Sequence, residues 1–388
     1  MTGSGSSTSK QKTIAIVGGG VIGLSIAWRL AQGGARVTLF ERDAAGSGAS
    51  HTSAGMLAAC AETEPGEEGQ LPLNRASQQI WPAFADELER YSGLSVELRT
   101  EGTLILAVTA DDQAKLMHQL EFQKSLGLPL EWISAAEVRK REPHLTPQVV
   151  GAIFSPEDHQ VENRKLVTAL HAAARKAGVS VREHAPVERI AVANGRAEGV
   201  VVAGTLHQAD VVVLAAGAWS RGIEGLPPEA RPPVRPIKGQ MIALRMDARA
   251  PILSHVLWAP GAYMAPRRDG RLLIGATVEE KGFDASLTAG AQLALLEGAW
   301  RALPAIEELV IDEAWAGFRP GSRDDAPILG LGPVEGLIYA TGHHRNGILL
   351  TPITARAIAD LILRGTIDPL IRSLGLARFA PSAAAAAE

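Results

Sequence analysis

Three glycines spaced as Gly18-x-Gly20-x-x-Gly23 are the residues of this sequence best suited to binding phosphate groups. Glycine lets the backbone turn tightly and approach a pyrophosphate, and a helix starting at the turn offers unpaired N–H groups and the positive end of its dipole. Glu41 follows at the distance where a carboxylate accepts hydrogen bonds from a ribose diol. This set predicts an ADP-containing dinucleotide without a 2′-phosphate; a purely structural glycine-rich turn is the alternative.

Two arginines form the second group of candidate binding residues. Arg319 lies between an apolar segment and a Pro-Gly turn, and Arg345 lies in the glycine-framed segment 342–347. A buried arginine needs an anionic partner, and a bidentate clamp on a substrate carboxylate is one such partner. An internal salt bridge is the alternative for both. Tyr263, flanked by apolar residues, can offer its hydroxyl to a pocket or pack a core with the hydroxyl satisfied.

The sequence offers few groupings for nucleophilic, acid–base or metal chemistry. Cys60 is the one cysteine, which excludes an intramolecular disulfide and any multi-cysteine metal site. His51 is interpreted as a surface or capping histidine. We therefore expect no metal and no catalytic side chain, because a bound cofactor can carry the reaction while the protein orients the substrate.

The glycines belong to a predicted βαβ unit at residues 12–42. An apolar run at 14–17 predicts a buried strand, the apolar segment 21–30 predicts a helix that ends at two glycines, and 35–40 predicts the second strand. Further apolar strands are predicted to join the same sheet, and helices to cover it. The strands are at 209–214 and 337–341, and the helices at 163–177 and 348–363.

The intervening segments predict an antiparallel sheet that carries a helix. The fold class is therefore α/β, a Rossmann-like cofactor-binding domain with an interleaved α+β substrate domain built on an antiparallel sheet. We expect a disordered leader at 1–11 and a disordered tail at 380–388. The cofactor domain is assigned to 12–95, 151–233 and 315–379, and the substrate domain to 96–150 and 234–314.

Composition excludes several classes of function. A formal net charge of −4 provides no basic field for nucleic acid. No apolar run reaches the 18 or so residues of a membrane span. A single cysteine fits a reducing compartment, so we expect a cytoplasmic protein.

Six motifs together closely resemble the glycine oxidase branch of the D-amino acid oxidase family. The resemblance runs in one order from about residue 12 to residue 370. The motifs are the Gly18 motif with Glu41 and Arg42, SAGML at 53–57, AYMAPR at 262–267, GAT at 275–277, AGFRPG at 316–321 and GHHRNGILL at 342–350.

The resemblance implies a two-domain flavoprotein, usually a homotetramer, with substrate between the flavin and the antiparallel sheet. Arg319 would bind the substrate carboxylate with help from Tyr263, and Arg345 would lie at the substrate end of the flavin. The contacts with FAD would come from Gly18, Gly20, Val21, Ile22, Gly23, Glu41, Arg42, Ala49, Ser50, Ala54, Gly55, Met56, Val187, Gly217, His343, His344, Arg345, Asn346, Gly347, Ile348 and Leu349.

The implied activity is oxidation of glycine or a similar small amine. In this family a hydride passes from the α-carbon to the flavin, the imino acid hydrolyses to a 2-oxo acid and ammonia, and molecular oxygen reoxidises the flavin with release of hydrogen peroxide. The usual pathway of this branch is imine supply for thiamine biosynthesis.

Several alternatives stay open. The chain could be a D-amino acid or secondary-amine dehydrogenase with a non-oxygen acceptor, as in the similar hydrogen cyanide synthase subunits. It could also be a non-catalytic flavin-binding partner. NAD would suit the first glycine turn alone, but the second turn at 342–347 disfavours it.

Two departures from the family pattern affect the expected pocket and cofactor linkage. Val278 and Gly261 stand where larger residues are common, which implies room for substrates larger than glycine, such as sarcosine or D-alanine. Relatives with covalent flavin use a cysteine in the C-terminal half, whereas Cys60 is N-terminal, so we expect non-covalent FAD.

Overall fold

The computed structural model describes residues 11–380. The leader and tail expected to be disordered therefore lie, apart from residues 11 and 380, outside the described residues. The strands are β1 (Thr13–Val17), β2 (Arg36–Phe40), β3 (Met56–Leu57), β4 (Thr103–Ala107), β5 (Glu131–Ser134), β6 (Gly151–Ser155), β7 (His159–Gln160), β8 (Ser180–Arg182), β9 (Val187–Ala193), β10 (Arg196–Val202), β11 (Thr205–Gln208), β12 (Val211–Leu214), β13 (Arg235–Arg245), β14 (Val256–Ala259), β15 (Ala262–Pro266), β16 (Arg271–Gly275), β17 (Val310–Gly321), β18 (Ile328–Leu331) and β19 (Leu337–Thr341). The α-helices are α1 (Val21–Gln32), α2 (Ala49–Thr52), α3 (Leu71–Ser92), α4 (Ala110–Ser125), α5 (Ala135–Arg141), α6 (Asn163–Lys176), α7 (Ala289–Ala302) and α8 (Thr351–Arg364).

A six-stranded sheet forms the half of the molecule that contains the first glycine turn. Its order is β18-β19-β12-β1-β2-β8, and all neighbouring pairs are parallel except β18 with β19. The α/β prediction and the βαβ unit at 12–42 are confirmed. The carboxyl ends of β1, β12 and β19 meet at one edge, where ligands bind in such sheets.

Strand β1 is buried on both faces because different layers cover them. Ile14 and Ile16 pack in the core formed with α1, α6 and α8. Ala15 and Val17 pack on the opposite face, against residues of the three-stranded sheet β11-β10-β9. The alternation of side chains along a strand therefore explains why the whole run at 14–17 is apolar.

An eight-stranded sheet forms the other half, in the order β17-β13-β16-β15-β14-β4-β6-β5. Its pairs are antiparallel except β14 with β4. Ile242 and Leu244 of β13 pack in the core that α7 covers, whereas Met241 and Ala243 lie on the opposite face with Ala54. One face of the sheet thus packs on a helix and the other faces the six-stranded half.

Two strands lie in a different sheet from the one expected. Strand β6, assigned by sequence to the cofactor domain, pairs with β4 and β5. Strand β17 begins at Val310 and pairs with β13 along its whole length, including Pro320 and Gly321, which we expected in a turn. The proline is tolerated because β17 is an edge strand. The domain boundaries themselves stay a proposal.

Three local predictions also differ from the structure. Residues 96–108, whose pattern predicts two short strands, contain only β4, and the loop predicted from Trp132 begins inside β5. The sequence pattern also did not predict β3, β7, β11, β14 and β18. The helix predicted to start at Ile348 starts at Thr351, because residues 347–350 form a turn. The Asn194-Gly195 pair predicts a two-residue hairpin turn, and it joins β9 to β10 with both residues at positive φ.

In the part of the chain that the structure describes, no helix combines the length and the apolarity needed to cross a membrane.

We predict that Gly23→Ala lowers the free energy of unfolding by about 1–3 kcal/mol, the usual cost of overpacking. A Cβ at Gly23 would overlap the Gly18 carbonyl oxygen, so the start of α1 would have to shift. The measurements are the midpoint of denaturant unfolding and the amount of flavin bound per protein. Gly290→Ala is the matched control, since a Cβ there meets nothing within 4 Å and alanine favours the helix. Unfolding of Gly23→Ala at the wild-type midpoint with full flavin content would contradict the prediction.

Candidate active site

A cavity of about 510 Å³ lies between the carboxyl edge of the parallel strands and the open face of the eight-stranded sheet. Residues from both halves line it, as expected for a site at their meeting place. The predicted site residues that line it are Gly20, Val21, Ile22, Ala49, Ser50, Ala54, Gly55, Met56, Tyr263, Arg319, His343, His344, Arg345, Asn346, Gly347 and Ile348.

The first glycine turn places backbone against this cavity. Gly18 has φ +105°, and a Cβ there would overlap the Ala215 carbonyl oxygen at the end of β12, so only glycine fits. Gly20 is the N-cap of α1 and has no side-chain cap, and no acidic residue occupies the first helical turn. Val21 N–H donates to Ser50 Oγ at 3.0 Å. The turn therefore presents backbone and the positive end of α1 to an anionic ligand.

The Glu41 carboxylate is fixed beside this turn by backbone amides. Oε2 accepts a hydrogen bond from Gly19 N–H at 2.7 Å, and Oε1 accepts one from Asp43 N–H at 3.0 Å. Each oxygen keeps a lone pair that can accept a further hydrogen bond. The glycine backbone and an oriented carboxylate fit the pyrophosphate and ribose of a dinucleotide.

The remaining predicted cofactor residues do not line the cavity. Glu41 contacts the glycine turn through Gly19 N–H and does not reach the cavity lining. The Arg42 guanidinium pairs with Asp43 at 2.8 Å and lies 3.7 Å from the Trp219 ring centroid. The Leu349 carbonyl accepts hydrogen bonds from side chains of α3. The predicted residues outside the lining are Gly18, Gly23, Glu41, Arg42, Val187, Gly217 and Leu349.

The second glycine-framed turn supplies two histidines that are neutral at physiological pH. His343 is buried with Nε2 3.1 Å from Thr354 Oγ1, and burial lowers its pKa to about 3. Burial also lowers the pKa of His344 to about 4, although Asp325 Oδ1 lies 3.4 Å from its Nδ1. Positive charge at the cavity therefore comes from arginine.

Arg319 lies on β17 with its guanidinium free of ion pairs. Its position opposite Ile237 in the β13 ladder fixes the backbone, and Nη1 donates to the Thr277 carbonyl at 3.1 Å. The guanidinium packs over Gly239, where a Cβ would lie 2.6 Å from Nη1. Within residues 11–380 no carboxylate lies within 4.0 Å of it, so the internal salt bridge considered for Arg319 is not formed there.

Tyr263 lies on β15 and faces the same part of the cavity. Its neighbour across the ladder is Gly275, where any Cβ would overlap the tyrosine ring, and its ring centroid is 5.3 Å from that of Trp258. Burial raises the pKa of Tyr263 to about 12, although the positive charge of Arg319 opposes this shift. The hydroxyl therefore stays protonated and can donate a hydrogen bond.

Arg345, in contrast, is engaged by two glutamates. Its Nη2 lies 2.7 Å from both carboxylate oxygens of Glu67, and its Nε lies 3.1 Å from Glu62 Oε2. The alternative of an internal salt bridge thus describes Arg345 in this structure. The residue lines the cavity, and its contact with a substrate stays a prediction.

Sequence reasoning missed two polar residues that line the cavity, Glu62 and Trp258. Glu62 is one of four glutamates in seven residues, and no spacing distinguishes it from the others. Trp258 lies on β14, a strand that sequence reasoning did not predict. The structure shows no group of three or more metal-binding side chains in the range 11–380.

We predict that Glu41→Ala weakens FAD binding at least tenfold, since it removes the acceptor predicted for the ribose and the partner of two backbone amides. The measurement is titration of acid-stripped apoprotein with FAD, followed by flavin fluorescence. Glu183→Ala, which removes an exposed carboxylate bonded to Ala45 N–H, is the control. Equal affinity in both variants would remove Glu41 from the site, and flavin retained after acid precipitation would contradict non-covalent binding.

Comparison with known proteins gives one consistent family. Residues 13–361 match the family model described as FAD dependent oxidoreductase, DAO. A glycine oxidase of Geobacillus kaustophilus is 37% identical over 354 residues, which cover 90% of this chain and 93% of that protein. A glycine oxidase structure from Bacillus cereus superposes with a TM-score of 0.86 at 30% identity, covering 96% of this chain and all of that one.

Another relative, the bifunctional protein ThiO/ThiG of Synechocystis, is 40% identical over 372 residues. The match covers 94% of this chain but 54% of that protein, so the chain spans about half the length of this relative. The family model and the glycine oxidases, matched over most of both chains, agree with the cavity and the glycine turn. This chain belongs to the DAO family of FAD-dependent oxidoreductases.

Proposed function

We propose that this protein oxidises glycine or a similarly small amino acid with oxygen as the electron acceptor. The products are the imino acid, which hydrolyses to a 2-oxo acid and ammonia, and hydrogen peroxide. The observation that supports this most directly is the guanidinium of Arg319, which forms no ion pair with the described residues and lines the same cavity as the first glycine turn. A cation with no carboxylate within 4.0 Å in residues 11–380 is suited to a substrate carboxylate.

The residues of the first turn hold the cofactor in this proposal. Residues 20–22 would hold the pyrophosphate and Glu41 would accept hydrogen bonds from the ribose, while residues 343–348 line the same cavity. FAD, when bound, accepts the hydride of the α-carbon and returns the electrons to oxygen. The chain offers no cysteine that lines the cavity, and buried Cys60 contacts Arg75, so we propose non-covalent FAD.

Arg319 and Tyr263 have positioning roles. The guanidinium binds the substrate carboxylate, and the neutral tyrosine hydroxyl donates a second hydrogen bond to it. Fixing the carboxylate orients the α-carbon, which lowers the entropic part of the barrier without any proton transfer from these two residues. The domain division, the cytoplasmic location, a homotetramer and a part in thiamine biosynthesis belong to the same proposal.

A D-amino acid or secondary-amine dehydrogenase is the second candidate function. Gly261 and Val278 both line the cavity, and Val278 is 74% exposed, so the site leaves room for a side chain or an N-substituent. An acceptor other than oxygen would distinguish this activity from the oxidase.

A substrate screen tests both candidates. Holoenzyme is incubated under air with glycine, sarcosine, D-amino acids and simple amines, with peroxide measured by a coupled peroxidase. We expect peroxide with glycine or a small N-alkyl or D-amino acid. Flavin reduction without peroxide would favour the dehydrogenase, and no flavin reduction by any amine would exclude both functions.

We predict that Arg319→Ala raises KM for the best amino acid at least tenfold, which corresponds to about 1.4 kcal/mol of lost binding. The reason is loss of the one cavity cation that no carboxylate neutralises within the described residues. The measurement is steady-state kinetics. Arg323→Ala, four residues along the chain and exposed, should match the wild type. Unchanged kinetics in Arg319→Ala would exclude Arg319 from the substrate site.

A further inference from the structure

Glu62 is a mostly buried carboxylate that lines the cavity, and the proposed function does not use it. It lines the cavity together with Arg319 and Tyr263, and its side chain is 13% exposed. Oε2 is buried and accepts no hydrogen bond from residues 11–380, although Arg345 Nε lies 3.1 Å away, because that contact lacks hydrogen-bond alignment. A buried acceptor left without a donor costs free energy unless a ligand supplies one.

The backbone on both sides of this carboxylate is held by two buried side chains. Asp158 accepts hydrogen bonds from Cys60 N–H at 3.0 Å and Ala61 N–H at 2.6 Å. Gln123 Nε2 lies 3.1–3.3 Å from three carbonyl oxygens of the segment 60–63 and donates to them. Five backbone groups are thus fixed, so the carboxylate is oriented by the fold.

The Arg345 ion pair does not require Glu62. Glu67 already binds that guanidinium through both oxygens at 2.7 Å, and the Arg345 Nη2 also donates to the Glu62 backbone carbonyl at 3.1 Å. A backbone carbonyl and one bidentate carboxylate therefore hold Arg345. The Glu62 side chain stays available for another cation.

Charges of both signs face Glu62. Arg345 and Arg319 favour its ionised form, whereas Asp158 and Glu67 oppose it. Burial is the largest effect and raises the pKa of Glu62 to about 7. The group can therefore both accept and release a proton near neutral pH.

We propose that Glu62 binds the amino group of the substrate and accepts its excess proton. The inference rests on the proposed function and extends it, because Arg319 binds one end of the molecule and Glu62 the other. In this step one N–H bond of the ammonium breaks, an O–H bond forms on Glu62, and the electron pair stays on nitrogen. No electrons leave the substrate in the step, and the α-carbon then carries a neutral amine, as its oxidation requires.

This arrangement selects a substrate class. A free guanidinium and a buried carboxylate facing one cavity complement a zwitterion, that is, a primary or N-alkyl α-amino acid. A 2-hydroxy acid would satisfy Arg319 but would bring no positive charge to Glu62, so it should bind as an inhibitor or not be oxidised.

The test is the pH dependence of flavin reduction in holoenzyme without oxygen, with the amino acid found best in the screen. In the wild type, kcat/KM should fall about tenfold per pH unit below the pKa of Glu62, because a protonated carboxyl cannot take the ammonium proton. Glu62→Gln should lower kcat/KM at neutral pH at least tenfold and lack that acid limb. Its rate should instead rise about tenfold per pH unit towards the pKa of the substrate amine.

Three controls separate this role from a structural one. Glu64→Gln, an exposed glutamate of the same segment, should keep the wild-type profile. Glu62→Asp should keep an acid limb at a lower rate. Acetate, which uses Arg319 alone, should perturb the flavin spectrum of Glu62→Gln with a Kd within twofold of the wild type.

The outcomes are distinguishable. An unchanged acid limb in Glu62→Gln, or a loss of equal size at every pH, would overturn the inference and leave the proposed function standing. If Glu62→Gln fails to retain flavin, the pH profile of Glu62→Asp is the test. Absence of the acid limb of kcat/KM in Glu62→Asp would also overturn the inference. No flavin reduction by any amino acid in the wild type would instead refute the proposed function.

Discussion

Close backbone contact at the first glycine turn is the constraint on which the site depends. Gly18 lies against the Ala215 carbonyl at the end of β12, and Gly23 lies against the Gly18 carbonyl. These contacts bring the start of α1 to the edge where the parallel strands end, and no side chain intervenes. The cavity begins at this edge, and β13 to β17 close it from the other side. Without the glycines the helix terminus would be displaced from the pyrophosphate it is suited to bind.

Desolvation then determines which charged groups are available for chemistry. Burial keeps His343 and His344 neutral and Tyr263 protonated, so two arginines supply the positive charge. Arg345 is paired with Glu67, which leaves Arg319 as the cation without a carboxylate partner in the described chain. The same desolvation brings the pKa of Glu62 to about 7. A small set of groups thus faces the cavity with opposite charges at separate positions.

The fold class and the glycine turn could be predicted because their signals are local. Strand, turn, helix and strand follow one another within 31 residues, and each glycine has a backbone reason visible in its spacing. Arg319 and Tyr263 could be proposed because apolar strands and a recognisable motif surround each. The extent of β17 could not be predicted, because a Pro-Gly pair is typical of a turn. Such a pair is acceptable in a strand only at the edge of a sheet, where β17 lies.

Glu62 shows most clearly which site residues a sequence alone does not reveal. In sequence it is one of several acidic residues in a polar segment, and a charge run is usually solvated. What makes it different is the pair Asp158 and Gln123, 96 and 61 residues further along the chain, which fix the backbone around it. Both side chains are buried where α4 and the turn before β7 contact this segment. Residues so far apart in the sequence come together only in the folded chain. The residues next to Glu62 in the sequence therefore do not indicate that it is buried.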